Sequence, residues 1–260
     1  MFFLAGGQPR VYRETVEALL RSLHARETAR LSAVADTARK AGYPPAAGEG
    51  IAAMNPKAKT KTLAAAIWPA TDEAGLRTMR AVLLALLGSL LVAVSAQLQV
   101  PMYPVPMTMQ PFAVIVIGAA YGARLGFATL LLYIAEGALG LPVFAGMKGG
   151  AIHLAGPTAG YIFGFALAAG AVGWLAERRW DRSVLMTIVA MTIGMALIYI
   201  PGLAWLTHWL GLEKGMPFAN AAETALATGA MKFLIGDAVK ILLAALVLPG
   251  AWWLIGRKGV

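Results

Sequence analysis

The sequence predicts an all-α integral membrane protein with six transmembrane helices, and three observations carry that reading. Apolar residues make up 59% of the 260 positions and charged residues only 13%, whereas soluble domains run at about 45–50% apolar and 25% charged. No charge occurs between Ala81 and Ala123, a stretch long enough for two passes at roughly 20 residues each. The apolar runs are rich in Ala, Leu and Gly and lack the alternation of a membrane barrel strand. The 29 glycines suit close helix packing in lipid.

The elements follow in order. Residues 1–53 read as a soluble N-terminal extension, with a helical composition over Glu14 to Lys40 and a Pro/Gly/Ala linker to Gly50. Met54-Asn-Pro-Lys-Ala-Lys-Thr-Lys61 resembles a natural bacterial N-terminus, basic and just ahead of membrane segments, so translation is expected to start at Met54. Residues 54–78 form a cytoplasmic or interfacial lead-in: Thr62 to Ala70 is too short to span, and Trp68 suits an interface. The membrane domain covers 79–256. Its first span lies at about 81–97. A break follows at Val100 to Pro111, where four prolines forbid a regular helix and leave a stiff loop carrying Tyr103, Thr108 and Gln110.

The second and third spans lie at about 111–122 and 125–140. Gly118, Gly122 and Gly126 form a close-approach row around the turn between them. Leu141 to Gly160 is too apolar and aromatic for a simple linker and includes Phe144. The fourth span runs over 157–175, with Pro157 at the first helical position. The fifth covers 183–209 with Pro201-Gly202 inside it. Gly211 to Glu223 is a loop, and the sixth span covers 230–253. With six spans both termini share a side. Arg124, Arg178, Arg179, Arg182, Arg257 and Lys258 lie there, against Lys148 and Lys214 opposite, so the positive-inside rule places both termini in the cytoplasm.

Several function classes fall away. There is no Cys, which excludes disulfides, thiol catalysis and Cys-type metal sites. His24, His153 and His208 show no metal-ligand spacing, and no nucleotide or zinc-hydrolase motif is present. Ser89 and Ser95 lack His–Asp partners for hydrolytic chemistry. The net charge of +9 follows loops and termini, a topology signal rather than a groove for nucleic acid.

The chemistry converges on Lys232-Phe-Leu-Ile-Gly-Asp-Ala-Val-Lys240. A charge in a membrane segment costs about 2.5–3.5 kcal/mol on insertion scales, so it faces a cavity or a partner. Asp237 and Lys240 share one helix face with Phe233 and Gly236. They form either a polar binding site or a structural ion pair between helices. Lys232 falls near the outer interface, while Asp237 and Lys240 lie about 10–15 Å deeper, facing the same outer half as the two unusual loops. Thr108 and Gln110 suit a polar ring, Tyr103 or Phe144 an apolar one. Glu136 lines the pocket or pairs with an outer Lys. The helix start at Thr158 receives a carboxylate or merely permits tight packing at Gly160 and Gly164. The implied ligand is a small anion with N–H donors and an apolar body.

Four ordered blocks carry a family resemblance: Val105-Pro-Met-Thr-Met-Gln-Pro-Phe112, Tyr133-Ile-Ala-Glu-Gly-Ala-Leu-Gly-Leu-Pro-Val-Phe-Ala145, Gly156-Pro-Thr-Ala-Gly-Tyr161 and Gly236-Asp-Ala-Val-Lys240. Over about residues 79–256 the chain resembles BioY, the biotin-specific substrate-binding (S) component of energy-coupling-factor (ECF) transporters. Ala159 stands where the family pattern more often has Gly, and 1–53 has no counterpart. The resemblance implies a six-helix S-component bundle in the bacterial cytoplasmic membrane, biotin as ligand, and no cofactor. It implies contact with biotin by Asp237 and Lys240 and a lid made by the Pro-rich loop. It also implies a transmembrane coupling protein and two ATPase subunits as partners, docked through Ala81 and Ala85 on the first helix.

Overall fold

The computed structural model describes residues 62–69 and 73–257. The extension at 1–53, the Met54 start and part of the lead-in lie outside the described residues. A short helix α1 (Leu63–Ile67) begins at Thr62, whose hydroxyl accepts the Ala65 N–H at 3.3 Å. Leu63 is buried while Ile67 and Trp68 are exposed. The first long helix, α2 (Ala74–Gln97), starts several residues before the expected span. Its packed stripe is Leu84, Gly88, Ser89, Val92, Ser95 and Ala96, at helical spacing; leucines on its other faces are exposed, as lipid contact requires.

The Pro-rich break folds into a hairpin. Strand β1 (Gln99–Val100) pairs antiparallel with β2 (Met107–Thr108), and Met109 N–H donates to Leu98 O at 3.0 Å. Pro111 then sits in the first turn of α3 (Gln110–Tyr121), where its missing N–H is harmless. Gly122, at φ +85, turns the chain into α4 (Ala123–Ala138), and the Glu177 carboxylate caps that helix by accepting the Ala123 N–H at 2.9 Å. Two of the expected spans are short. Helix α3 has 12 residues and α4 has 16, or about 18 and 24 Å at 1.5 Å per residue, short of a hydrocarbon core of about 30 Å. Among the described residues, four stretches are long and apolar enough to cross: Ala74–Gln97, Ala159–Ala176, Val184–Lys214 and Phe218–Ile255.

Helix α5 (Ala159–Ala176) is the centre of the bundle and starts two residues later than expected: Pro157 lies in the turn before it, not at its first position. Its glycines and alanines let neighbours approach to backbone contact. A Cβ on Gly160 would lie 2.2 Å from Pro201 O, and one on Gly173 2.4 Å from the Gly122 carbonyl carbon. Gly118 of α3 meets Ala169 in the same way. Helix α6 (Val184–Lys214) continues through Pro201 and past the expected end. Residues 218–223, read as loop, instead join 224–229 in α7 (Phe218–Gly229). The segment is rich in Ala, the strongest helix former, and its i, i+4 stripe Ala221, Ala225, Gly229 is buried. A single 3₁₀ turn, Met231–Phe233, leads into α8 (Leu234–Arg257).

At the opposite end of α8, Asp181 in the 3₁₀ turn Trp180–Arg182 is buried and accepts the Trp252 indole N–H, while the Arg182 guanidinium lies 4.0 Å from the Trp252 ring centroid. Burial pushes the Asp181 carboxyl above its ordinary 3.8; the Trp252 N–H and the Arg182 charge act the other way without reversing it.

Two outcomes follow from this packing. Gly160→Val costs about 1–3 kcal/mol by overpacking, whereas Gly250→Ala, where a Cβ meets nothing within 4 Å, is expected to stabilise by about 0.5–1 kcal/mol. Thermal unfolding in detergent separates the two. A raised Asp181 value means that the folded state binds the proton more tightly than the unfolded one. Its contribution is therefore full at acid pH and is lost as pH rises through the raised value. The unfolding midpoint of Asp181→Asn should depend less on pH than the parent's as pH rises above the ordinary carboxylate range.

Candidate functional site

Helix α8 presents Asp237 and Lys240 one turn apart, and the Lys240 ammonium lies 2.8 Å from Asp237 Oδ1. Both residues are buried, at 6% and 5% exposure. Asp237 occupies the first turn of α8, where the positive end of the helix favours a carboxylate. Its second oxygen accepts a hydrogen bond from the Tyr199 hydroxyl on α6. The ion pair is therefore internal to one helix and joins no two helices; only the Tyr199 hydroxyl crosses to a neighbour. Lys240 has three donors and spends one on Asp237, with no second acceptor among the described residues.

These groups line a cavity of about 160 Å³. Phe233, Asp237 and Lys240 form one wall. Tyr161, Ile162 and Phe165 of α5 and Met195, Ile198 and Tyr199 of α6 form a second, mostly apolar one. The hairpin contributes Pro104 to Thr108, followed by Gln110. Phe144, Ala145 and Lys148 come from the loop after α4, and His153 and Gly156 to Thr158 from the approach to α5. A polar corner is fixed by Gln110, whose Nε2 donates to the Tyr133 hydroxyl at 2.7 Å; Tyr133 in turn donates to Val143 O at 3.0 Å. Thr108 accepts the Gln110 backbone N–H at 3.2 Å. The Phe144 ring stands edge-on to Tyr133, centroids 5.6 Å apart, and sits over Gly137, where a Cβ would come within 2.1 Å of it.

Asp237, Lys240, Phe233, Thr108, Gln110, Phe144 and Thr158 are thus brought together, as the sequence suggests. Two expected residues are not. Tyr103 is at the hairpin tip, 68% exposed, and turns away from the cavity. Glu136 accepts a hydrogen bond from Ser89 of α2. It neighbours Gly137, which carries the Phe144 ring, and one residue along a helix rotates the side chain by about 100°. Gly236 is no gap: the Met107 sulfur fills the space beside it. Lys232 is exposed and outside the lining. Ala81 and Ala85 are half-buried beside the packed stripe of α2.

Sequence reasoning passed over Tyr199, Tyr133, Tyr161, Lys148 and His153. Tyr199 had a legible signal, being the one hydroxyl-bearing side chain between Thr192 and Thr207 in an otherwise apolar run. Tyr133 and Tyr161 lie on helices whose facing no local pattern fixes, and Lys148 and His153 on a connecting segment whose path no local pattern encodes.

The family model described as the BioY family matches residues 61–257. The chain is 36% identical over 157 residues to a probable biotin transporter BioY of Pyrococcus horikoshii, covering 60% of this chain and 86% of that one. It is 34% identical over 169 residues to the biotin transporter BioY of Thermotoga maritima, covering 65% and 94%. The fold is similar to the crystal structure of the S-component for biotin from an ECF-type ABC transporter. That match has a TM-score of 0.56 and 20% identity and covers 68% of this chain and 93% of that one. The chain belongs to the BioY family.

The electrostatics of the pair predict a non-additive cycle. Asp237→Ala leaves the buried Lys240 without its counter-charge, a loss of about 3–5 kcal/mol when such a pair is broken. The double variant Asp237→Ala/Lys240→Ala removes both charges and should unfold at a higher temperature than Asp237→Ala alone. Ligand-free melting of the parent, both single variants and the double variant checks this.

Proposed function

We propose that this chain binds biotin in the cavity beside Asp237 and Lys240 and serves as the substrate-binding subunit of an ATP-driven uptake transporter. The observation that carries the reading is a buried ion pair lying along one helix, on the wall of a largely apolar and aromatic cavity. Biotin joins a carboxylate to an aliphatic arm and a fused ring bearing two ureido N–H groups. The free donors of Lys240 suit the carboxylate, and the remaining lone pairs of Asp237 suit N–H groups. The aromatic and aliphatic walls suit the arm and ring. Thr108, Gln110, Phe144, Thr158 and Phe233 complete the contacts, and the relatives described as biotin transporters support the same ligand.

The remainder of the proposal extends from that site. The membrane domain comprises residues 79–256 in the bacterial cytoplasmic membrane, with six passes and both termini in the cytoplasm. Helices α3 and α4 make two short passes, and α7 with α8 the last. Residues 1–53 form a separate extension and 54–78 a lead-in. Ala81 and Ala85, at the cytoplasmic end of α2, dock a transmembrane coupling protein that carries two ATPase subunits. The hairpin acts as the lid.

The test is direct binding by the purified chain. Biotin is expected to bind at nanomolar to low micromolar concentration. Asp237→Ala or Lys240→Ala should weaken it by about 2–5 kcal/mol, or roughly thirtyfold to several thousandfold. Saturable binding of a different vitamin alone would move the reading to another S component. If no vitamin binds or shifts the melting temperature, a membrane assembly subunit remains.

A further inference from the structure

Gln97 is the last residue of α2, and its carboxamide makes two contacts of opposite polarity with one distant turn. Nε2 donates to Phe144 O at 3.1 Å, and Oε1 accepts the Met147 N–H at 3.0 Å, 47 and 50 residues along the chain. The turn is also closed on itself: Phe144 N–H donates to Lys148 O at 2.9 Å and Lys148 N–H to Phe144 O at 3.3 Å. Gly146 and Met147 both have positive φ, +74 and +57. Met147 thus holds a backbone conformation that side-chain-bearing residues rarely adopt, and an outside acceptor for its N–H supports it. The turn supplies Phe144, Ala145 and Lys148 to the cavity wall.

The residues that follow α2 hold the hairpin wall. Leu98 O accepts the Met109 N–H, and Gln99–Val100 pair with Met107–Thr108. The hairpin and the 144–148 turn are therefore both fastened to residues 97–100, whereas the approach to α5 is held by the Trp205 indole N–H on Gly156 O at 2.8 Å. The walls from α5, α6 and α8 are fastened elsewhere.

We infer that Gln97 is a positioning residue for the binding cavity, holding the 144–148 turn closed over it and linking that closure to the position of α2. The inference rests on the biotin reading for its ligand, but not for the turn. An amide is the side chain that offers a donor and an acceptor together at this spacing. A carboxylate at position 97 would set an oxygen against Phe144 O, and a leucine would leave both turn contacts unmade. Either change frees Phe144 to leave Tyr133 and Gly137, opening the cavity between the hairpin and α5. Displacement of α2 along its axis would do the same without any substitution.

The experiment uses the full chain in lipid nanodiscs with Gln97→Leu, Gln97→Glu and the pair Gln97→Cys/Met147→Cys. Because the chain has no cysteine of its own, a short bis-maleimide bridges only the introduced pair. Hydrogen exchange of the ligand-free protein is expected to speed up about tenfold or more at the Met147 and Lys148 amides in Gln97→Leu, and at Lys148 in Gln97→Glu, which keeps an acceptor for the Met147 N–H, with α5 and α6 amides unchanged. Release of labelled biotin is expected to accelerate by about tenfold, and bridging the cysteine pair should return it to near the parent rate. Unchanged exchange at 147–148 would overturn the inference. So would faster exchange spread through α5 and α6, or faster turn exchange with biotin release unaltered. A parent that binds no biotin would count against the biotin reading alone, since the exchange measurement still decides whether Gln97 holds the turn.

Discussion

Holding two opposite charges inside an apolar bundle is the constraint on which the rest of this structure depends. Each charge would cost a few kcal/mol if stranded in the membrane interior. Pairing at 2.8 Å within α8 reduces that cost, and the first-turn position of Asp237 and the Tyr199 hydroxyl reduce it further. None of these contacts uses up the hydrogen-bonding capacity of the pair. A pair meant only to fasten helices would place its charges on different helices and satisfy both completely. Here the pair remains under-used and faces a cavity, the arrangement expected of a site that completes its hydrogen bonds with a ligand.

The cavity exists because the helices around it pack too closely elsewhere to close over it. Gly160 and Gly164 bring α5 against the backbone of α6, and Gly118 and Gly173 bring it against α3 and the Gly122 turn. These contacts fix the helix axes with little side-chain volume between them. Larger side chains at Tyr161, Phe165 and Tyr199 then stand around a space that the fixed axes cannot remove. Gly202 has the same role at smaller scale, since the Tyr161 ring occupies the place of its absent Cβ, and the Tyr161 hydroxyl is held by Gly229 O at 2.9 Å.

Much of this was legible in the sequence because membrane segments obey few rules strictly. Apolar runs, prolines and glycine rows located the helices, and the charges of α8 were conspicuous in hydrocarbon. The Asp237–Lys240 face, Phe233, Gln110 and Phe144 were all found this way. What stayed hidden was geometry set by long-range closure. The expected loop beyond Gly211 gave way partly to α7 because an Ala-rich segment found a groove on α6 for its small-residue stripe. Tyr103 and Glu136 were misplaced for a common reason: residue type and depth placed them near the cavity, but a hairpin tip and a helix rotation decide direction. Tyr199 was missed because a single hydroxyl in an apolar run attracts less notice than a charge.

The two kinds of cavity wall differ in how they are held, and that difference bears on how the site works. The α5, α6 and α8 walls rest on backbone-to-backbone helix contacts, which are hard to deform. The hairpin and the 144–148 turn are tied by a few hydrogen bonds to residues 97–100, with the Phe144 ring packed on Tyr133 and Gly137, and hydrogen bonds of that local kind open at lower free energy than helix packing. On the proposed biotin reading, Asp237, Lys240 and Tyr199 sit on the rigid walls, and entry and release fall to the walls held at residues 97–100. Helix α2 suits that division, because most of its surface is exposed leucine and valine and its polar tie to the bundle midway along is Ser89 to Glu136. That places Glu136 not in the cavity wall but at the contact between α2 and α4. Its misassignment from sequence and its place in the fold thus have the same physical origin, a carboxylate whose hydrogen-bond partner, Ser89, lies on α2.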